Sequence, residues 1–250
     1  HKKIDALLLK NPGDVTREEA SALISVNKDA HQYFFTKADE RWLDWLWENG
    51  FLDAIKQKAE DLTRYGYRTP EINYLVKVSE KEPAKVVDIM LQVPISADNF
   101  NPEEVVDRFM RICSGLSAQE LKRMVNKIRN DKWVSLMGAF NDWGFEYEKM
   151  LKTLTEANDF DSVFILAEAG LSVRSKKEAE QEKRGFLSDS PFYFKELSYT
   201  KVFEHVLKVD AENVERALAL ATNIMKQVVL FGEKEGKDEV FEVYDSFFLL

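Results

Sequence analysis

Cysteine, histidine, proline, glycine and long apolar runs are all scarce in this 250-residue chain. One cysteine, Cys113, excludes an internal disulfide framework and any multi-cysteine zinc site. Three histidines, His1, His31 and His205, lie far apart and lack the four-residue spacing of a helical zinc site, so no metal or other cofactor is expected. With 10 glycines and 6 prolines the chain is neither collagenous nor low in complexity. No apolar run approaches the roughly 18 residues a membrane span needs, which argues against a membrane partner and for a cytoplasmic protein. The first residue is His1 and no basic segment leads into an apolar core, so no signal peptide is read. The ends, His1 and Phe247-Phe248-Leu249-Leu250, read either as cuts in a longer polypeptide or as a complete chain with its last helix docked.

What is plentiful is apolar and charged surface together: 45% hydrophobic, 32% charged, formal net charge -9. The acid gathers toward the C-terminus, where residues 185–250 hold 7 basic against 12 acidic side chains. An acidic protein gains nothing from long-range attraction to nucleic acid or anionic lipid, which disfavours nucleic acid as a partner.

Helix signals recur with their mechanisms. Thr16-Arg17-Glu18-Glu19 and Ser117-Ala118-Gln119-Glu120 are capping boxes, in which a hydroxyl and a carboxylate answer amides at a helix start. Thr69-Pro70-Glu71 and Asn101-Pro102-Glu103 put a cap, then proline where no amide is missed, then acid beside the helix dipole. Six glycines precede an apolar residue: Gly50, Gly66, Gly115, Gly144, Gly170 and Gly185. Each reads as a left-handed helix ending with the next side chain folded back.

Between these marks the spacing predicts helices over 16–26, 28–35, 38–48, 51–65, 70–79, 83–92, 102–113, 118–129, 132–142, 145–157 and 159–169. In 118–129, Leu121, Met124, Val125 and Ile128 share one face and Lys122, Arg123, Lys127 and Arg129 take the rest. Residues 172–190 are charged and read as an exposed loop. Further helices are predicted at 199–208, 211–231 and 238–249, the middle one with a stripe of Leu218, Ala221, Ile224, Met225, Val228 and Val229.

Short helices joined by brief turns make antiparallel pairs. The proline starts recur 32 residues apart and their partner helices 34 apart, near Ala84 and Ala118. Such units bury their apolar faces only by stacking. The expected fold is all-α: a right-handed α-solenoid over 1–171, the loop 172–190, and a C-terminal helical cap or subdomain over 191–250. A non-repeating helical bundle is the alternative. The tandem pattern resembles HEAT or armadillo repeats in architecture, and it lacks the Trp, Leu-Gly and Tyr offsets of tetratricopeptide repeats. That resemblance implies a scaffold, an adaptor or the sensor region of a larger protein, by fold analogy alone.

No catalytic motif is present. Gly232-Glu233-Lys234-Glu235-Gly236-Lys237 has acid where a phosphate loop needs amides and lacks Ser or Thr after the lysine. Cys113 shares an apolar face with Phe109 and Met110 and reads as core. Asp39, Glu40, Asp159 and Asp161 are accounted for as helix-start acids.

Two clusters remain. Trp42, Trp45, Trp47 and Phe51, with Trp133 and Trp143 as a second set, are core residues or anchors for a partner protein or another domain. Lys122, Arg123, Lys127, Arg129 and Lys132 are either a solvated face or a phosphate-reading row. The expectation is a protein-interaction scaffold. Its alternatives are nucleic-acid backbone binding, and an enzyme with a site between the repeat body and the C-terminal subdomain.

Overall fold

A computed structural model describes residues 1–56, 70–96, 102–137, 144–172, 205 and 211–231. Among them the fold is all-α, with twelve α-helices, three short 3-10 turns and no strand. The chain divides into two compact units, His1–Gly115 and Leu116–Leu250.

Unit 1 contains α1 (Lys2–Leu8), α2 (Arg17–Ile24), α3 (Lys28–Lys37), α4 (Leu43–Glu48), α5 (Pro70–Val78), α6 (Pro83–Gln92) and α7 (Pro102–Gly115). The hydroxyls of both expected capping boxes accept at helix starts, Thr16 from the Glu19 amide at 3.1 Å and Ser117 from the Glu120 amide at 3.4 Å. Asn27, which is not among the caps expected from the sequence, caps α3 through the Ala30 amide at 2.8 Å. α4 ends at Gly50 with φ +76°. There the Phe51 amide reaches back to the Leu46 carbonyl and the Gly50 amide to that of Trp47, the two bonds of a Schellman ending.

The other described glycines depart from the expected role. Gly115 is the last residue of α7 and Gly144 opens a helix. Gly170 is also the last residue of its helix, so the left-handed turn falls elsewhere. Asn158 takes that turn after residues 144–156, with the Asp159 amide on the Leu154 carbonyl.

Helices α1, α3, α5 and α7 pack in succession, each on the next. Among the described residues, six of the seven polar contacts between residues 31–44 and 71–85 keep an almost constant separation, and the seventh, from the Tyr74 hydroxyl to the Asp39 carbonyl, spans 35. His31 meets Glu71, 40 residues on; Lys77 meets the carbonyls of Phe35, Thr36 and Ala38, at 42, 41 and 39. Lys81 meets Glu40 and Lys85 meets Asp44, each at 41. A constant difference in residue number means that the two segments run parallel and in register.

Unit 2 contains α8 (Ala118–Asn130), α9 (Trp133–Met137), α10 (Gly144–Glu156), α11 (Phe160–Gly170) and α12 (Ala211–Phe231). α8 packs on α9, α10 and α11, and α10 on α11. The face expected for α8 is the one buried: Leu121, Met124, Val125 and Ile128. Gly170 is placed by packing, because a Cβ there would lie 2.5 Å from Cε1 of the buried Tyr147. The Tyr147 hydroxyl donates to the Leu166 carbonyl.

On α12 the buried face runs through Asn213, Ala217, Ala221 and Ile224, while Leu218 is exposed. Of the predicted stripe, Ala221 and Ile224 are buried, Met225 is half-buried and Leu218 is exposed, while the side chains of Val228 and Val229 lie outside those described. Arg216 ties α12 to α11: its guanidinium lies 4.1 Å from the Phe164 ring centroid and 2.9 Å from an Asp161 oxygen.

α1 has no counterpart in the predicted elements. The predicted helices over 57–65, 138–142, 199–208 (apart from His205) and 238–249 lie outside the described residues, as do the 173–190 part of the loop and Gly232–Lys237.

Candidate functional site

The tryptophans separate by depth. Trp42 is completely buried, edge-on to Phe34 (5.5 Å between centroids) and to Trp45 (5.4 Å). Its indole Nε1 has no hydrogen-bond partner. Trp133 is equally buried, in unit 2. Both rings are core, with no face left for a partner. Trp143 lies outside the described residues.

Trp45 and Phe51 are half-buried and stacked, 5.3 Å apart and 22° from parallel. The Trp45 indole donates to the Val15 carbonyl at 3.2 Å, which fixes the ring from behind. Trp47, on the turn between them, is half-buried with the Lys56 ammonium 3.8 Å from its centroid. A cation over an indole face holds the ring without covering it completely. The Trp45–Phe51 stack, closed by the Gly50 ending, and Trp47 beneath Lys56 are half-buried members of the aromatic cluster.

The basic row of α8 is spent locally. Lys122 reaches Asp159 at 3.1 Å, Arg123 reaches Glu120 at 2.6 Å, and Lys127 reaches Asp131 at 2.7 Å. Arg129 donates to the side-chain oxygens of Asn126 and Asn130 at 3.2 and 3.3 Å. Lys127, expected on the solvent face, is mostly covered. Lys132 is exposed and left-handed, with φ 53°. Burial acts to raise the Asp159 carboxyl, but hydrogen bonds from Ser162 and Lys122 outweigh it and hold the group below its ordinary value. Positive side chains already paired with carboxylates present little net charge to a phosphate backbone.

Sequence reasoning missed the polar seam between α3 and α5. Glu71 is 3% exposed; His31 Nε2 lies 2.7 Å from its Oε1, and its Oε2 has no partner. The Lys77 ammonium answers three carbonyls at the end of α3, those of Phe35, Thr36 and Ala38. Burial pulls Lys77 below its ordinary value, outweighing the attraction of Asp39 and Glu40. The Tyr74 hydroxyl donates to the Asp39 carbonyl at 2.8 Å, and burial raises that phenol. Beside this seam opens a cleft of about 310 Å³, lined by Lys28, Gln32, Phe35, Thr36, Pro70, Asn73, Tyr74 and Lys77. Partners 40 residues apart leave no local signal, so only a register for α3 against α5 could have found them.

Elsewhere the chemistry is quiet. Cys113 is buried and its thiol is raised well above the ordinary range by desolvation. Among the described residues no group of three or more His, Cys, Asp or Glu is placed to hold a metal ion, and no helix is long and apolar enough to cross a membrane. Set against known proteins, the chain matches no family model, no curated protein and no solved structure.

Proposed function

We propose that the chain is a helical-repeat interaction module, a HEAT- or armadillo-like α-solenoid in the cytoplasm that binds another protein or another domain of its own polypeptide. The observation that carries this reading is the 39–42 residue offset of six of the seven polar contacts that link 31–44 to 71–85. Parallel neighbours in constant register are how one repeat stacks on the next. In this reading α3 and α5 are equivalent helices of successive units, and so are residues 40–48 and α6. The work is then done by surface anchors, of which Trp47 is the principal one and the half-buried Trp45–Phe51 stack a second. Tryptophan and tyrosine rings held rigid before binding lose little entropy when a partner closes over them. A protein partner is favoured over nucleic acid because three of the five cations of the basic row, Lys122, Arg123 and Lys127, are already paired with carboxylates.

The test places a photoreactive benzoylphenylalanine at position 47 of the full chain, with the same group at Lys152 as a surface control. The reading expects an adduct specific to position 47. The purified partner should then bind the Trp47→Ala chain at least about tenfold more weakly. Identical adducts at both positions, or unchanged affinity in the alanine variant, would overturn it.

A further inference from the structure

We infer that the cleft between α3 and α5 is a binding site for an organic anion, a carboxylate carried on a small flat apolar body. The lining is one-sided in charge: Lys28 and Lys77 contribute cations, and among the described residues no carboxylate lines the cavity. Asp29 and Glu71, each next in sequence to a lining residue, are not part of the lining, and Glu71 is turned to His31.

The two lysines have different duties. Lys77 has its ammonium on three carbonyls, so it supplies a fixed positive charge and spends its donors inside the protein. Lys28, at the start of α3, has no carboxylate partner among the described residues. The carboxamides of Gln32 and Asn73 are likewise unbonded there. One ammonium and two amide groups with open donors on one cleft suit a carboxylate, which accepts several hydrogen bonds at once. The buried rings of Phe35 and Tyr74, 5.8 Å apart, give the cleft an apolar floor. At about 310 Å³ it matches the smaller small-molecule pockets, which combine such a floor with a few placed polar groups.

The same chemistry is offered by a free aromatic acid and by the C-terminal carboxylate of a chain ending in an aromatic residue. The experiment titrates the full chain, labelled with ¹⁵N, with sodium benzoate, benzamide, inorganic phosphate, and a hexapeptide ending in phenylalanine as free acid or amide. The side-chain amide signals of Gln32 and Asn73 are followed up to about ten times a millimolar Kd. The expected result is saturable shifts with benzoate and none with benzamide or phosphate. Lys28→Glu should weaken benzoate at least about tenfold, and Lys28→Gln by less. Lys28 is exposed, and acid is favoured in the first turn of a helix, so both variants fold; an unchanged thermal melt checks this. A free-acid peptide that outcompetes benzoate identifies a chain terminus as the source, and one that does not identifies a free acid. Failure of benzoate to saturate, equal binding of benzamide or phosphate, or indifference to Lys28→Glu would each overturn the site.

Discussion

Unit 1 is threaded by a run of ring-on-ring contacts, whereas the buried rings in the described part of unit 2, Trp133, Tyr147 and Phe164, share their core with many aliphatic and small side chains. In unit 1 a chain of contacts runs from His31 and Phe35 through Phe34, Trp42 and Trp45 to Phe51, with Tyr74 joining from α5. Unit 2 meets instead through Met124, Leu151, Leu154, Leu166 and Ala167, with Gly170 cut away to admit Tyr147. Large rings reach across several helices from one position, so unit 1 depends on few residues. Small residues admit close approach, so unit 2 depends on what is missing from its side chains. The same contrast places function: rings too large to be covered completely remain partly at the surface of unit 1.

The sharpest way to break the comparison is to remove the central ring. Trp42→Ala should destabilise unit 1 by about 3–5 kcal/mol, a large share of what holds a domain folded. Hydrogen exchange should then show loss of protection in α2–α5 beyond any loss in α8–α11. Equal loss in the two units would show that they unfold together and that the contrast has no energetic meaning.

The converse experiment adds one methyl group to unit 2. Alanine suits a helix better than glycine by about 1 kcal/mol, yet a Cβ 2.5 Å from Tyr147 must displace that ring. Gly170→Ala should therefore give a net loss of about 1–3 kcal/mol, read as a lower thermal midpoint for unit 2. A gain in stability would show that Tyr147 gives way freely.

The smallest effect is electrostatic. The Asp159 carboxyl is held below its unfolded value, so the stability it contributes is present above the unfolded pKa. It is lost as pH falls through the depressed folded value. Against the Asp159→Asn chain, the native protein should lose about 1 kcal/mol or less of its advantage on acidification, confined to unit 2. A difference that grew as pH fell would reverse the assignment.

Element positions were the most legible part of the fold. Residues 83–92 and 211–231 have the bounds the sequence predicts, and Pro70, Pro102 and the Ser117 cap stand where helices begin. Caps and prolines act within one turn, so a local reading is enough to find them. α1 was missed because its N-cap, His1, makes no side-chain capping bond and the helix is only 7 residues long. On α12 periodicity found Ala221 and Ile224 but not the exposure of Leu218, nor the contacts of Arg216 with Phe164 and Asp161, about 50 residues away in sequence. Equally, the aromatic spacing identified the cluster, but only tertiary packing separates buried Trp42 from half-open Trp47. The α3–α5 cleft had no sequence signature, since its polar residues look like ordinary solvent-facing positions on two unrelated helices.

Cys113, sealed in α7 and the only thiol in the chain, makes the protein its own stopwatch. A sulfhydryl reagent in excess must wait for the structure around α7 to part, so the rate at which it reacts counts those partings without any engineered label.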